Sequence, residues 1–398
     1  MASDFSLTKQ LFNIPKNMIY LDGNSLGPPT KTSAHKVGVL IDQKWGKLLV
    51  SGWNKDNWID QPLNVGNRIA KLIGAENNHV ILGDTLSIKL YQALFSAISL
   101  QKNRKVLLSD NGNFPSDLYI AQGLIHSLDK NYELRVVETK NILDKLTDEI
   151  AVLFLTEVDY RTGRKHDMKA INTKARELGI LTVWDLAHSV GAFPIELAVN
   201  ECDFAVGCTY KYLNGGPGSP GFIYVAPKHT ETIEVGLKGW LGHTAPFDFE
   251  QEYLPAPGVN KLRIGTPPVV ATACLEAALD VFDLIDMGDL RKRSIDLTEL
   301  FIEEIDKSCP MLKLASPRQP KDRGSHVSYH FNNGYAAIQS LIEHNIICDF
   351  RMPDLMRFGF NPLFIGHNDV VTASKTLASI MQNKKWNRAD LKVKKFVT

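Results

Sequence analysis

Residues 203–225 read DFAVGCTYKYLNGGPGSPGFIYV. Phe204, Ala205 and Val206 form an apolar strand that runs into a polar turn carrying Lys211 between Tyr210 and Tyr212. A Gly/Pro-rich loop follows, then a second apolar strand over 222–225. Lysine is rarely buried without a partner. Its pKa falls readily when it is desolvated, which suits it to covalent chemistry on carbonyl compounds. A surface lysine in a turn reads equally well from this stretch alone. The partners of Lys211 therefore have to be found elsewhere in the chain.

Upstream, from His79 on, short apolar strands (80–82, 105–108, 133–137, 150–155, 181–184) alternate with amphipathic helices (87–100, 116–128, 168–178). Runs such as VLFL and LTVW suit strands buried on both faces, as in a parallel sheet. This alternation predicts an α/β fold, a mainly parallel seven-stranded sheet between helices, with sites at the carboxyl ends of its strands. Earlier, a helix is expected over 33–49 and another over 62–72, with a tryptophan-bearing loop between them. After Pro267-Pro268, helices over 269–285, 290–305, 336–344 and 369–382 mix with short strands over 312–314, 327–331 and 346–350, which reads as a smaller α+β domain. The expected division is an N-terminal segment 1–60 joining the small lobe (and, as the resemblance given below implies, a dimer interface), a large domain 61–268 and a small domain 269–398. The basic tail from Lys384 reads as a solvated terminus.

The bulk numbers suit this size of molecule. At 398 residues the chain exceeds one ordinary core. Lys plus Arg is 45 against 44 for Asp plus Glu, which argues against a dedicated nucleic-acid or membrane-surface role. The five cysteines (202, 208, 274, 309, 348) are scattered, with no C-x-x-C pair, which suits a reducing cytoplasm and gives no metal framework. The N-terminus has no secretory signal pattern, and no apolar run is long enough to span a bilayer.

Asp185 and His188 lie in WDLAHSVG, just after a predicted strand. A strand-end carboxylate faces a crevice, although it also suits a helix cap. Lys211 follows 26 residues later, one strand–helix–strand excursion away, on a neighbouring strand end. That arrangement is what a pyridoxal-phosphate site requires: the lysine holds the aldehyde and the aspartate keeps the pyridine nitrogen protonated. Thr85-Leu86-Ser87 opens a helix, as a phosphate site or as an ordinary cap. Phe114 precedes another helix and is free to stack on a flat cofactor or to pack in the core. Arg351 and Arg357 flank MPDLM; either fits a grip on a carboxylate or a surface ion pair. No Walker pattern and no H-E-x-x-H occurs.

Eight landmarks then line up in order: DGNSLGPP (22–29), FPSD (114–117), LTEVDYRTGRKHDM (155–168), DLAHSVGAFP (185–194), CTYKYLNGGPGSPGF (208–222), GWLGH (239–243), RIGTPP (263–268) and RMPDLMRFGF (351–360). With them the chain resembles the kynureninases, of the class V aminotransferase group with the PLP-dependent transferase fold type I, over about residues 20–364. Gly265-Thr266 resembles the bacterial form.

The resemblance implies hydrolysis of L-kynurenine to anthranilate and L-alanine by cleavage of a Cβ–Cγ bond, with pyridoxal 5′-phosphate as cofactor. It implies that Lys211 attaches the cofactor, that Asp185 faces its ring nitrogen with His188 nearby, and that Phe114 stacks on the ring. Leu86, Ser87 and Tyr210 would bind its phosphate, and Tyr210 is a plausible proton shuttle. Thr156 and Asp117 match positions near the ring substituents. Trp240 and Thr266 match positions given by a second subunit, so a homodimer with shared sites is implied. Arg357 would hold the substrate's α-carboxylate, with Asn24 and Ser25 close by. A place in tryptophan catabolism, which also feeds NAD biosynthesis, is implied too. Lys89, Asp159 and Leu241 depart from the family pattern. Kynurenine is the expected substrate over its 3-hydroxy derivative. The competing readings are another class V enzyme, such as a cysteine desulfurase or an aminotransferase, and an inactive PLP-fold protein. Tyr210 before Lys211, and the intact Lys211, Asp185 and Arg357, argue against them.

Overall fold

The computed structural model describes residues 3–128 and 131–394. Its strands, in chain order, are β1 (Ile19–Tyr20), β2 (Val80–Leu82), β3 (Val106–Asp110), β4 (Glu133–Val137), β5 (Ile150–Thr156), β6 (Leu181–Asp185), β7 (Phe204–Gly207), β8 (Phe222–Val225), β9 (Lys313–Leu314), β10 (His326–His330), β11 (Ile346–Ile347), β12 (Asp349–Arg351) and β13 (Leu355–Gly359). Seven of them form one sheet, as expected, and its strand order is β2-β8-β7-β6-β5-β3-β4. Only β8 runs against its neighbours; the β7–β6–β5–β3–β4 pairings are all parallel.

Every residue of β5, IAVLFLT, is buried. Successive side chains of a strand point to opposite faces, and the packing follows that rule. Val152 and Phe154 enter one apolar cluster with Ile81, Leu94 and Leu124, while Leu153 and Leu155 enter the other with Val65, Ile69 and Ile171. The first cluster is roofed by the helices Leu86–Leu100 and Pro115–Leu128, the second by Gln61–Leu72 and Met168–Glu177. The second cluster continues through the helices Val269–Phe282 and Met287–Ser308 into a four-stranded antiparallel sheet, β12-β13-β10-β9. Each fully buried Leu, Ile or Phe in such a core contributes roughly 1.5–3 kcal/mol.

Several details differ from the sequence reading. The segment between β6 and β7 is a series of turns, with no helix in it. It still returns the chain to the neighbouring strand, with Asp185 paired to Val206. The helix expected over 33–49 is α-helical at Lys31–Val39, widens into a π-helical stretch at Leu40–Trp45 and ends in an α-helical turn at Gly46–Leu48. The strand expected over 346–350 splits in two. Ile346–Ile347 pairs in parallel with Ile19–Tyr20, and Asp349–Arg351 joins the four-stranded sheet. Strand β13 is not in the sequence reading at all, because a central arginine breaks its apolar alternation. The tail is partly anchored: Trp386 packs edge-on against Phe331 at 5.2 Å and Leu391 is buried. Residues 395–398 of that tail lie outside the described residues. Among the described residues, no helix is long and apolar enough to cross a membrane.

Candidate active site

The parallel strands β3, β5, β6 and β7 end on one edge of the sheet, and their carboxyl ends deliver Asp110, Thr156, Asp185 and Gly207 there. Four residues past β7 the turn presents Lys211. A cavity of about 100 Å³ at this edge is lined by Leu86, Ser87, Phe114, Asp117, Thr156, Asp185, His188, Tyr210 and Lys211, nine residues named from the sequence. Ser116, Tyr160 and Ala187 complete the lining.

Two helix starts converge on it. Thr85 caps the helix Leu86–Leu100, its Oγ1 accepting from the Ile88 N–H at 3.4 Å. Pro115 opens the next helix, and the hydroxyls of Ser87 and Ser116 meet at 3.1 Å. Such starts carry free N–H groups and the positive ends of helix dipoles, which favour an anion. Gly221 lets β8 approach this point: a Cβ there would lie 2.8 Å from the Leu86 nitrogen.

At the other end sit the ionisable groups. Lys211 Nζ lies 3.0 Å from His188 Nε2. Burial, and next the charge of Lys211, push the His188 pKa well below its ordinary value, so the ring is neutral and accepts from the amine. Its Nδ1 has no partner, and its ring packs 5.5 Å from that of His326, which burial and the nearby Arg357 charge bring down to about 3. Asp185 Oδ1 accepts from the Ala187 N–H at 2.8 Å, and Thr156 Oγ1 lies 3.4 Å from Asp185 Oδ2 and 3.5 Å from Asp117 Oδ2. Burial raises the pKa of both carboxyls, and for Asp117 the charge of Asp185 raises it further. Among the described residues, Lys211 is the cation that acts on both. Burial, and then Cys208, raise the Tyr210 phenol, which stays protonated.

The remaining named residues lie apart from the cavity. Arg357, on β13, is buried and grips Asp349 with Nε (2.7 Å) and Nη2. Ser25 Oγ donates to Asp349 Oδ2 at 2.7 Å and accepts from Arg357 Nη2 at 3.1 Å. Asn24 is fully buried against Gly359, with neither amide atom hydrogen-bonded. Arg357 Nη1 donates to the carbonyl of Tyr160, whose side chain lines the cavity, and this links the two groups. Trp240 is on the surface, its ring 5.6 Å from Phe247 and 6.4 Å from Phe249. Thr266 lines a separate apolar groove of about 600 Å³ with Trp45, Trp53, Trp58 and Val270.

Three functional partners escape the sequence reading. Tyr160 meets the Phe114 ring edge-on at 5.0 Å. Asn113 accepts from Thr156 Oγ1 and from the Phe114 N–H. Asp349 faces Arg357 across the β12–β13 hairpin, a register visible only once β13 is recognised. The departures from the family pattern sit outside the cavity lining. Lys89 is fully buried, with Nζ 3.0 Å from both Gln92 Oε1 and the Leu262 carbonyl and 3.2 Å from Asp84. Asp159 caps its own turn through the Arg161 and Thr162 N–H groups, and Leu241 is buried.

A family model described as the kynureninase C-terminal domain matches residues 290–377. The kynureninase of Pseudomonas fluorescens is 42% identical over 397 residues, covering 98% of this chain and 95% of that protein. The chain belongs to the kynureninase family. The kynureninase of Burkholderia mallei strain SAVP1 shows the same identity and coverage. Among solved structures, this chain is similar in fold to an apo cysteine desulfurase of Thermococcus onnurineus NA1, with TM-score 0.80, 16% identity and coverage of 96% of this chain and 100% of that one. It is also similar in fold to the cystine C-S lyase C-DES in complex with cysteine persulfide (TM-score 0.76, 16% identity, 91% and 98% coverage).

Proposed function

We propose that this chain is a kynureninase, hydrolysing L-kynurenine to anthranilate and L-alanine with pyridoxal 5′-phosphate held at Lys211. One observation carries the reading: a strand-end lysine 3.0 Å from a neutral histidine, beside two buried carboxyls that lack a further cation. The residues fit the cofactor. A protonated pyridine nitrogen supplies the cation that Asp185 and Asp117 lack. Two helix starts with the hydroxyls of Ser87 and Ser116 suit a phosphate. Phe114, partly exposed at the mouth, offers a face for stacking.

When bound, the cofactor supplies an electron sink conjugated to the substrate's α-carbon. The protein's part is placement and proton transfer. Asp185 holds a positive charge at the ring nitrogen, and Thr156 fixes the carboxyls beside it. Lys211 moves the proton at the α-carbon, and His188 orients its amine without adding charge. Tyr210, protonated at neutral pH and beside Lys211, would give a proton to Cβ, which takes the electron pair of the broken Cβ–Cγ bond while the aroyl group leaves as the carboxylic acid. Arg357 holds the α-carboxylate, with Ser25 and Asn24 next to it. Water adds to the γ-ketone, and the Cβ–Cγ bond breaks.

The test is release of anthranilate from L-kynurenine by purified protein with and without added pyridoxal phosphate. Turnover that depends on the cofactor, and higher kcat/KM on kynurenine than on 3-hydroxykynurenine, is expected. A colourless, inactive protein would refute the reading, and equal efficiencies would refute the preference.

The finer reading includes a cytoplasmic homodimer with shared sites in tryptophan catabolism. The groove at Trp45, Val270 and Thr266 adjoins Pro217 of the Lys211 loop, and exposed Leu49 and Val50 border the same region of the chain. Trp240 and the exposed Phe247 and Phe249 form a second aromatic patch. Large exposed apolar patches mark association surfaces. The division at 60 and 268 into an N-terminal segment, a large domain and a small domain is supported by the two separate sheets and by the pairing of β1 with β11.

A further inference from the structure

A guanidinium has five N–H donors. On Arg357, Nε and one Nη2 N–H go to Asp349, the other Nη2 N–H to Ser25 Oγ, and one Nη1 N–H to the Tyr160 carbonyl. Among the described residues one N–H is left without a partner, and the residue is 2% exposed. A carboxylate is gripped best by two parallel N–H groups. Arg357, clamped this way, offers half of what that grip needs.

The other half stands next to it. Arg351, at the end of β12, has Nη2 2.8 Å from the same Asp349 Oδ2 and 3.4 Å from the same Ser25 Oγ. Its Nη1 donates to the Phe350 carbonyl at 3.0 Å. Its Nε and second Nη1 N–H have no partner among the described residues, and its side chain is 37% exposed. Both arginine charges act on His188 at the cavity wall, and the Tyr160 phenol is near enough to act on Arg351. Asp22, the fourth charged member of the cluster, is pushed up to about 7 by burial and then by the charge of Asp349, so it holds a proton over much of the range below neutrality. Two arginines against Asp349 then leave one positive charge unanswered in a half-buried place, where it costs most.

We infer that Arg351 is a second anchor for the substrate's α-carboxylate, acting beside Arg357 in a cradle that Asp349 and Ser25 hold in register. The inference rests on the reading that the substrate is an α-amino acid. Arg351 meets the anion from the open side, Arg357 from the buried side, and Asp349 keeps both planes fixed. The role is binding, common to ground and transition states, so it belongs in KM.

The test uses the holoenzyme carrying Arg351→Gln and, separately, Arg351→Lys, with thermal midpoints measured to establish folding. Arg351→Gln is expected to raise KM for L-kynurenine at least tenfold with kcat within about threefold, and Arg351→Lys to recover part of the loss. Calorimetric titration with L-alanine and L-alaninamide supplies a readout apart from activity. Affinity for alanine should fall at least tenfold, while affinity for the amide, which lacks the carboxylate, should stay within twofold. An unchanged KM and alanine affinity, or equal losses for alanine and alaninamide, would overturn the inference. If the wild-type protein fails to release anthranilate, the kynurenine reading fails, and the alanine–alaninamide comparison still decides the role of Arg351.

Discussion

At the scale of single residues, the chemistry rests on how burial treats charge. Lys211 is kept next to a histidine that cannot compete for its proton, because desolvation holds His188 neutral. Asp117 and Asp185 share one buried corner, where burial raises both and the charge of Asp185 raises Asp117 further. Replacing the lysine isolates its role. Lys211→Ala should leave far-ultraviolet circular dichroism and the thermal midpoint essentially as they are, and lower turnover of kynurenine by at least about a thousandfold. Substantial residual activity would show that another group attaches the cofactor. Lys211, Asp185, His188, Ser87 and Phe114 could all be picked out of the sequence, because each follows a strand or opens a helix in a short motif. Asn113 could not: an asparagine two residues before Pro115 reads as a turn, and its hold on Thr156 comes from the neighbouring strand.

At the scale of elements, the short N-terminal strand matters more than its length suggests. β1 adds to β11, and the turn after it brings Asp22 and Ser25 to Asp349, Arg351 and Arg357 on the β12–β13 hairpin. Burial alone would raise Asp349, but the charge of Arg357 and its hydrogen bonds, with Arg351 behind, bring it down to about 2. Asp22 goes the other way, up to about 7 against 3.8 for an ordinary aspartate. A raised folded-state pKa means that its contribution is full below about pH 4 and is lost as pH climbs towards 7. Asp22→Asn cannot ionise. Its stability relative to the parent should therefore grow between pH 4 and 7, by on the order of 2–4 kcal/mol. Urea denaturation of both proteins at intervals across that range measures it, and parallel curves would mean that Asp22 ionises freely in the native state.

For the whole molecule, the open question of assembly has a direct readout. Sedimentation should give twice the mass of the chain. Val50→Glu, at an 81% exposed position that lies in sequence between the groove residues Trp45 and Trp53, should shift the protein towards monomer and cut turnover several-fold. A fully active monomer would sink the shared-site reading. The two apolar clusters on either face of the large sheet explain why the strand pattern was so readable: a strand packed on both faces is apolar along its whole length.

From the sequence alone came the α/β class, the strands β2 to β8 in chain order, and the lysine, aspartate and histidine of the site. These follow from local periodicity and from motifs at strand ends, which need no knowledge of distant contacts. Tertiary structure alone decided that LMRFG is a buried strand and that Arg357 spends four donors inside the protein, leaving Arg351 facing outward. An arginine inside a strand is tolerated only when a carboxylate from another strand meets it, and that pairing is a fact of register, not of sequence.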